Sequence, residues 1–139
     1  MNLGKRLGRI LRGGETIALC GELGSGKTIL VKGIAEGVGV KSSKYVNSPS
    51  FVILKEYKGR LPLYHFDIYR LNDISEFSTV DYVKYFYGKG VSVIEWADKI
   101  IELLPKEFLK IEISIKEENE RKIHIAPCGR RYRKLVGKF

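Results

Sequence analysis

The segment at positions 21–28 constrains the fold of this chain more than any other stretch. It reads Gly-Glu-Leu-Gly-Ser-Gly-Lys-Thr, follows an apolar run at 16–20, and precedes apolar residues at helical spacing, at 30, 31, 34, 35 and 38. Its glycines allow backbone conformations closed to residues with a Cβ atom, so that successive N–H groups can point inward and attract an anion. A helix that begins directly after the loop aims its free N–H groups at the same point. The order strand, glycine loop, helix therefore predicts a site for the polyphosphate of a nucleotide.

The pattern also assigns roles within the loop. Lys27 is expected to reach the β- and γ-phosphates, and the hydroxyl of Thr28 is expected to bind Mg²⁺. The loop residues expected to contact the nucleotide are Glu22, Leu23, Gly24, Ser25, Gly26, Lys27 and Thr28. The sequence has no Asn-Lys-x-Asp element of the kind that selects guanine, which favours ATP over GTP. ATP and Mg²⁺ are therefore the predicted cofactors.

Two acidic residues follow apolar strands where a nucleotide site needs them. Asp67 ends the run at 64–66, and Glu95 ends the run at 91–94. Open α/β sheets bind ligands at the carboxyl ends of their strands, so both acids are predicted to approach the loop. One can bind the metal while the other orients the attacking water, and the sequence leaves open which does which. A turn or a surface ion pair is the alternative for each. The predicted catalytic residues are Lys27, Asp67 and Glu95, and the predicted metal ligands are Thr28, Asp67 and Glu95.

Other polar and aromatic residues stand close to these motifs. Ser50 lies in a polar segment before a strand, where its hydroxyl can reach the γ-phosphate or the metal, or can serve a plain turn. Arg70 can neutralise charge in the transition state or pair with a neighbouring aspartate. Trp96 is interpreted as part of the core or of a lid. His65 and His124 alternate with apolar strand residues and are interpreted as structural, because no metal-ligand cluster surrounds them in the sequence.

Composition limits the classes of protein to which this chain can belong. The 139 residues are the size of one domain, no apolar run approaches the roughly 20 residues of a membrane span, and the first residues lack the apolar stretch of a signal peptide. Two cysteines are too few for a disulfide framework. These features predict a cytoplasmic protein without a membrane contact. The net charge is +9, and no acid follows Glu120. This basic end favours either an anionic partner, such as RNA or an acidic protein surface, or a solubilising tail.

The hydrophobic periodicity predicts a single P-loop NTPase-like α/β domain over 1–126, with a mixed parallel and antiparallel sheet flanked by helices, and a basic C-terminal tail at 127–139. Helices are expected near 3–11, directly after the loop, from Asp73 to Tyr85, and at 97–103. Strands are expected at 16–20, 51–57, 61–67 and 91–94, with a hairpin around 110–125.

Four motifs, taken in order, resemble those of one bacterial family. They are the loop at 21–28, Asn-Ser-Pro-Ser-Phe at 47–51, His-Phe-Asp-Ile-Tyr-Arg-Leu at 65–71, and Ile-Glu-Trp at 94–96. Over about residues 3–126 the chain resembles the TsaE family, formerly YjeE, the P-loop ATPases needed for threonylcarbamoyladenosine in tRNA. The loop alone is shared by very many proteins, whereas the ordered combination is specific.

The resemblance implies a cytoplasmic ATPase that acts on a complex of TsaD and TsaB, the proteins that transfer the threonylcarbamoyl group to tRNA. ATP binding would favour assembly, and hydrolysis, slow in the isolated protein, would reset the complex. By position, the resemblance places Lys27 on phosphate and Thr28 on Mg²⁺, and it adds Ser50, in place of the family's usual threonine, and Trp96 to the nucleotide site. The basic tail is the predicted element for direct or indirect contact with tRNA.

Two other function classes use the same loop. A small-molecule kinase must also bind an acceptor and usually closes a lid over it, and the chain has no obvious arginine-rich insertion for such a lid. A nucleotide-dependent binding module would hold ATP without turning it over. Detection of a phosphorylated small molecule would identify the kinase, and measurement of phosphate release separates the binding module from an ATPase.

Overall fold

The computed structural model describes residues 2–22, 24–41, 46, 54–78 and 80–138. Its six strands are Thr16–Gly21 (β1), Leu54–Tyr57 (β2), Leu63–Asp67 (β3), Val91–Glu95 (β4), Phe108–Glu117 (β5) and Glu120–Cys128 (β6). They form one sheet in the order β2-β3-β4-β1-β5-β6. The four central strands are parallel, and β2 and β6 run antiparallel at the two edges. The predicted mixed sheet is confirmed.

Helices cover both faces of this sheet. They are Asn2–Ile10 (α1), Lys27–Val38 (α2), Ile74–Phe77 (α3), Tyr82–Phe86 (α4), the 3₁₀ helix Ala97–Leu103, and Arg130–Val136 (α5). Side chains alternate across a strand, so β1 sends Ile17 and Leu19 into a core under α1, α2 and α5, and Ala18 into a core under α3, α4 and the 3₁₀ helix. Within the described residues, no helix is long and apolar enough to cross a membrane.

Helices α1 and α2 touch through glycines. A Cβ atom on Gly8 would lie 2.4 Å from the carbonyl oxygen of Ile34, and one on Gly37 would lie 2.3 Å from the carbonyl oxygen of Lys5. Neither position has room for a side chain, because backbone atoms cannot move aside as the end of a flexible side chain can. This close approach holds α1 against α2, the helix that begins at the glycine loop.

The single helix predicted from Asp73 to Tyr85 is wrong. The Asp73 cap itself is present, because its carboxylate accepts a hydrogen bond from the backbone N–H of Ser75 at 3.1 Å. Helix α3 nevertheless ends at Phe77, where the Ser78 hydroxyl donates to the carbonyl oxygen of Ser75 at 2.6 Å and competes with the backbone ladder. The break lets Phe77 and Phe86, one on each short helix, both pack against Phe66 of β3.

The residues after 126 are part of the domain and do not form a separate tail. Strand β6 continues through Cys128, and α5 follows after Gly129. The Tyr132 side chain is only 2% exposed, and its hydroxyl accepts a hydrogen bond from the backbone N–H of Thr16 at 2.8 Å. The Arg131 guanidinium donates to the carbonyl oxygen of Gly13 at 2.6 Å. The Tyr132 ring is therefore part of the core and is unavailable to stack on a base.

Candidate nucleotide site

The glycine loop joins β1 to α2 at the carboxyl edge of the parallel strands. Gly24 and Gly26 have φ values of 79° and 105°, in the left-handed region that L side chains rarely adopt. A Cβ atom at either position would meet nothing within 4 Å, so the backbone conformation, and not crowding, requires glycine here. Gly26 is the N-cap of α2, and no side chain caps the helix. The N–H groups of the first helical turn are therefore available to an anion at this point.

Lys27 stands at the mouth of the loop. Its side chain is 5% exposed, and its ammonium donates to the carbonyl oxygens of Gly21 at 2.7 Å and Glu22 at 2.9 Å. Burial lowers the pKa of Lys27, and the charges of Glu95 and Asp67 oppose that shift. The predicted phosphate-binding cation is thus held beside the loop, close to both predicted acids.

Trp96 covers the Lys27 ammonium, whose nitrogen lies 3.9 Å from the centroid of the indole ring. Trp96 has φ of 63° and is the only non-glycine residue with positive φ among the described residues. Such a strained backbone is typical of functional sites, where surrounding packing holds it. The Tyr69 ring packs on Trp96 with centroids 4.9 Å apart, and the Lys99 ammonium donates to the Tyr69 carbonyl oxygen.

Glu95 is the central acid of the site. Its carboxylate is almost fully buried, and one oxygen, Oε1, lies 3.4 Å from the hydroxyl oxygen of Thr28. The other, Oε2, lies 2.5 Å from Nε2 of His65. Asp67 pairs with Glu95 in the parallel register of β3 and β4, so the two acids end adjacent strands. Asp67 is partly exposed, and its Oδ1 accepts a hydrogen bond from the Tyr69 N–H at 3.0 Å.

These side chains suit a magnesium–nucleotide complex. Mg²⁺ prefers oxygen ligands, keeps several waters, and takes the remainder of its shell from one or two protein groups and from substrate phosphates. Thr28 and Glu95 supply two oxygen atoms at hydrogen-bond separation beside the loop. The Ser25 hydroxyl, inside the loop, is buried and has no hydrogen-bond partner among the described residues. A bound phosphate would give this orphaned hydroxyl an acceptor.

A cavity of about 380 Å³ adjoins the loop on the side of the β5–β6 hairpin. Apolar residues of α1, α2 and the hairpin form much of its wall, and Glu118, Asn119 and Arg121 add charged and polar groups near the hairpin turn. The apolar lining residues are Leu3, Ile29, Leu30, Ile113 and Ile123. Mostly apolar walls with a few polar groups are typical of small-molecule sites.

The structure brings together most of the residues that the sequence singles out. Lys27, Thr28, Glu95 and Trp96 converge on the loop, and Asp67 lies next to Glu95. Leu23 and Ser50 lie outside the described residues, so their predicted contacts stay predictions. The interpretation of His65 as merely structural missed its contact with Glu95. The sequence holds only part of the signal, because His65 stands two residues before Asp67 and therefore on the same face of β3. That β3 lies beside β4, and His65 beside Glu95, is shown by the structure.

A parallel sheet with a glycine loop between β1 and α2, and an acid from the neighbouring strand facing that loop, defines a P-loop NTPase-like α/β fold. The family profile described as "Threonylcarbamoyl adenosine biosynthesis protein TsaE" matches residues 1–123. The chain belongs to this family.

Individual relatives agree with that assignment. The chain is similar to the "tRNA threonylcarbamoyladenosine biosynthesis protein TsaE" of Bacillus subtilis, with 48% identity over 88% of this chain and 75% of the relative. The protein of the same name from Treponema pallidum is 38% identical over 88% of this chain and 90% of the relative. A crystal structure of Bacillus subtilis YdiB superposes with a TM-score of 0.78 at 36% identity, covering 99% of this chain and 86% of the other.

Proposed function

We propose that this protein binds ATP with Mg²⁺ in the loop at 21–28 and hydrolyses it in support of threonylcarbamoyladenosine formation in tRNA, in the cytoplasm. The observation that carries the proposal is the placement of Glu95, whose Oε1 lies 3.4 Å from the Thr28 hydroxyl beside the loop. A loop alone can hold phosphate, whereas hydrolysis also needs a group that positions metal or water. A buried carboxylate facing the metal-binding hydroxyl provides such a group.

Each side chain then has a defined task. The first-turn N–H groups of α2 and the Lys27 ammonium bind the phosphates, and the Thr28 hydroxyl binds the metal. Glu95 would accept hydrogen bonds from water beside the Thr28 hydroxyl, and Asp67, which is more exposed, would hold water at the rim of the site. Bound Mg²⁺ would neutralise negative charge on the phosphate oxygens. Trp96, against which Tyr69 packs, covers the Lys27 ammonium, and this partial desolvation strengthens the attraction of Lys27 for phosphate.

The proposed partner is the complex of TsaD and TsaB. Membership in the family supports this choice, because the relatives carry the name of this tRNA modification. Helix α5 presents Arg133 and Lys134 on its exposed face, while Tyr132 and Leu135 anchor it to the core. We propose that these exposed cations strengthen docking of the protein onto its RNA-bearing partner complex.

A phosphate-release assay tests the proposal with TsaD and TsaB added singly and together. We expect slow hydrolysis by the isolated protein and faster hydrolysis when both partners are present. Turnover that is fast without partners and unchanged by them would contradict the proposed control. Tight ATP binding without phosphate release under all conditions would instead identify a binding module, and a phosphorylated small molecule would identify a kinase.

Two isosteric variants test the acids in the same assay. Glu95→Gln and Asp67→Asn keep the shape of each side chain and remove its charge, so turnover should fall more than ATP affinity. The fall should be larger for Glu95, which is buried and faces Thr28, than for the more exposed Asp67. Parental turnover in both variants would show that neither acid takes part in hydrolysis.

A further inference from the structure

The two oxygens of the Glu95 carboxylate have different partners. Oε1 faces the Thr28 hydroxyl at 3.4 Å, and Oε2 lies 2.5 Å from Nε2 of His65. The short contact is therefore on the side away from the metal-binding hydroxyl. One oxygen of the Glu95 carboxylate is thus held by His65, and the other is presented to the nucleotide site.

His65 is built into the sheet at a place from which it can reach Glu95. It is 0% exposed and lies on β3, where its backbone partner in the parallel register is Val93 of β4. Glu95 is two residues after Val93 on β4. Because side chains alternate across a strand, His65 and Glu95 therefore project from the same face of the sheet. A side chain enclosed in this way has little freedom to leave its partner.

The direction of the hydrogen bond follows from the surroundings of the ring. A carboxylate oxygen accepts, so Nε2 is the donor to Glu95. The other ring nitrogen, Nδ1, is buried and has no hydrogen-bond partner among the described residues. A hydrogen on Nδ1 would be a buried donor without an acceptor, which is costly. The geometry therefore assigns the ring hydrogen to Nε2.

A competing partner for Glu95 lies close by. The Lys27 ammonium is near enough for its pKa to respond to the Glu95 charge, yet the two residues form no ion pair in the part of the chain that the structure describes. Lys27 bonds instead to the carbonyl oxygens of Gly21 and Glu22. Each group is thus held by other partners, Lys27 by the loop carbonyl oxygens and Glu95 by His65.

We propose that His65 is a positioning residue: its Nε2–H holds Oε2 of Glu95 and so presents Oε1 to Thr28 and the metal. This inference rests on the proposed binding of a magnesium nucleotide. Partners that orient metal-binding groups typically change metal affinity or activity by about 10–100-fold when removed.

Two substitutions separate this role from simple packing. In His65→Gln the side-chain amide nitrogen can reach the position of Nε2, whereas in His65→Asn the shorter amide can reach only that of Nδ1. The probes are ADP with excess Mg²⁺ and ADP with a chelator, measured by calorimetry on the full chain. His124→Gln is the matched control, because His124 is the other histidine and lies exposed on β6.

We expect the gain in ADP affinity on adding Mg²⁺ to stay near the parental value in His65→Gln and in His124→Gln. In His65→Asn that gain should fall about 10-fold, while ADP affinity in the chelator stays unchanged. The turnover number for ATP in the presence of the partners should follow the same order, with little change in the Michaelis constant.

Equal magnesium-dependent gains in all four proteins would overturn the proposal, and so would equal losses in the Gln and Asn variants. Should His65→Asn fail to fold, ¹⁵N spectra of histidine-labelled parental protein supply a second test. They should show the Nε2–H tautomer for His65, and an Nδ1–H tautomer would overturn the assignment. Absence of any ADP binding by the parental protein would instead refute the proposed function, a distinct result.

Discussion

Removal of one oxygen atom tests whether α5 is an integral part of the domain. In Tyr132→Phe the ring stays in its buried place, and only the hydroxyl that accepts the Thr16 N–H at 2.8 Å is lost. Thr16 is itself buried at the start of β1, so its N–H loses its acceptor inside the folded protein. A buried donor left without a partner costs about 1–3 kcal/mol of unfolding free energy.

That loss is measurable by thermal or urea unfolding. For a chain of this size each kcal/mol lowers the midpoint by about 3 °C, so Tyr132→Phe should melt roughly 3–9 °C below the parent. Tyr87→Phe is the matched control, because Tyr87 is 65% exposed and the same atom removed there should leave the midpoint within about 1 °C. Equal midpoints for Tyr132→Phe and the parent would refute the anchoring role of this hydroxyl. A parental affinity for ADP in the variant would show that the site itself is intact.

Three further outcomes follow from the same structure. Lys27→Ala should lower affinity for magnesium–ATP by about 100-fold in calorimetry, because a buried cation beside the loop is lost. The melting point should not fall, and a parental affinity for magnesium–ATP would contradict the site assignment. Gly8→Ala should lower the free energy of unfolding in urea by about 1–3 kcal/mol, since the new Cβ atom would lie 2.4 Å from a backbone oxygen of α2. An unchanged urea midpoint would show that α1 and α2 can move apart at little cost. Replacing Arg133 and Lys134 by Gln should flatten the dependence of log affinity for the tRNA-bound partner complex on log salt by about 1.5, at 0.7–0.9 for each phosphate contact. An unchanged slope would remove these cations from docking, and unchanged ADP binding is the control.

The glycine loop is a part of the site that local sequence is sufficient to predict. Its phosphate-binding geometry depends on glycine conformations and on a strand and helix adjacent in the chain, all of which are local properties. The strands that end at Asp67 and Glu95 were likewise readable from short apolar runs. Because parallel strands end at the same edge of a sheet, the position of both acids at the edge that carries the loop could be predicted without coordinates.

Other features of the fold and of the site depend on tertiary contacts. The hydrogen bond between Tyr132 and Thr16 joins residues 116 positions apart. It helps to pack α5 against the domain, where the sequence had predicted a tail. The contact of His65 with Glu95 depends on β3 lying next to β4 in parallel register, and sheet order is not encoded in the periodicity of either strand. A hydrophobic pattern records only which residues prefer to be buried. Which buried groups meet is set by the packing of the whole chain, and that packing pairs Glu95 with His65 and turns its free oxygen toward Thr28.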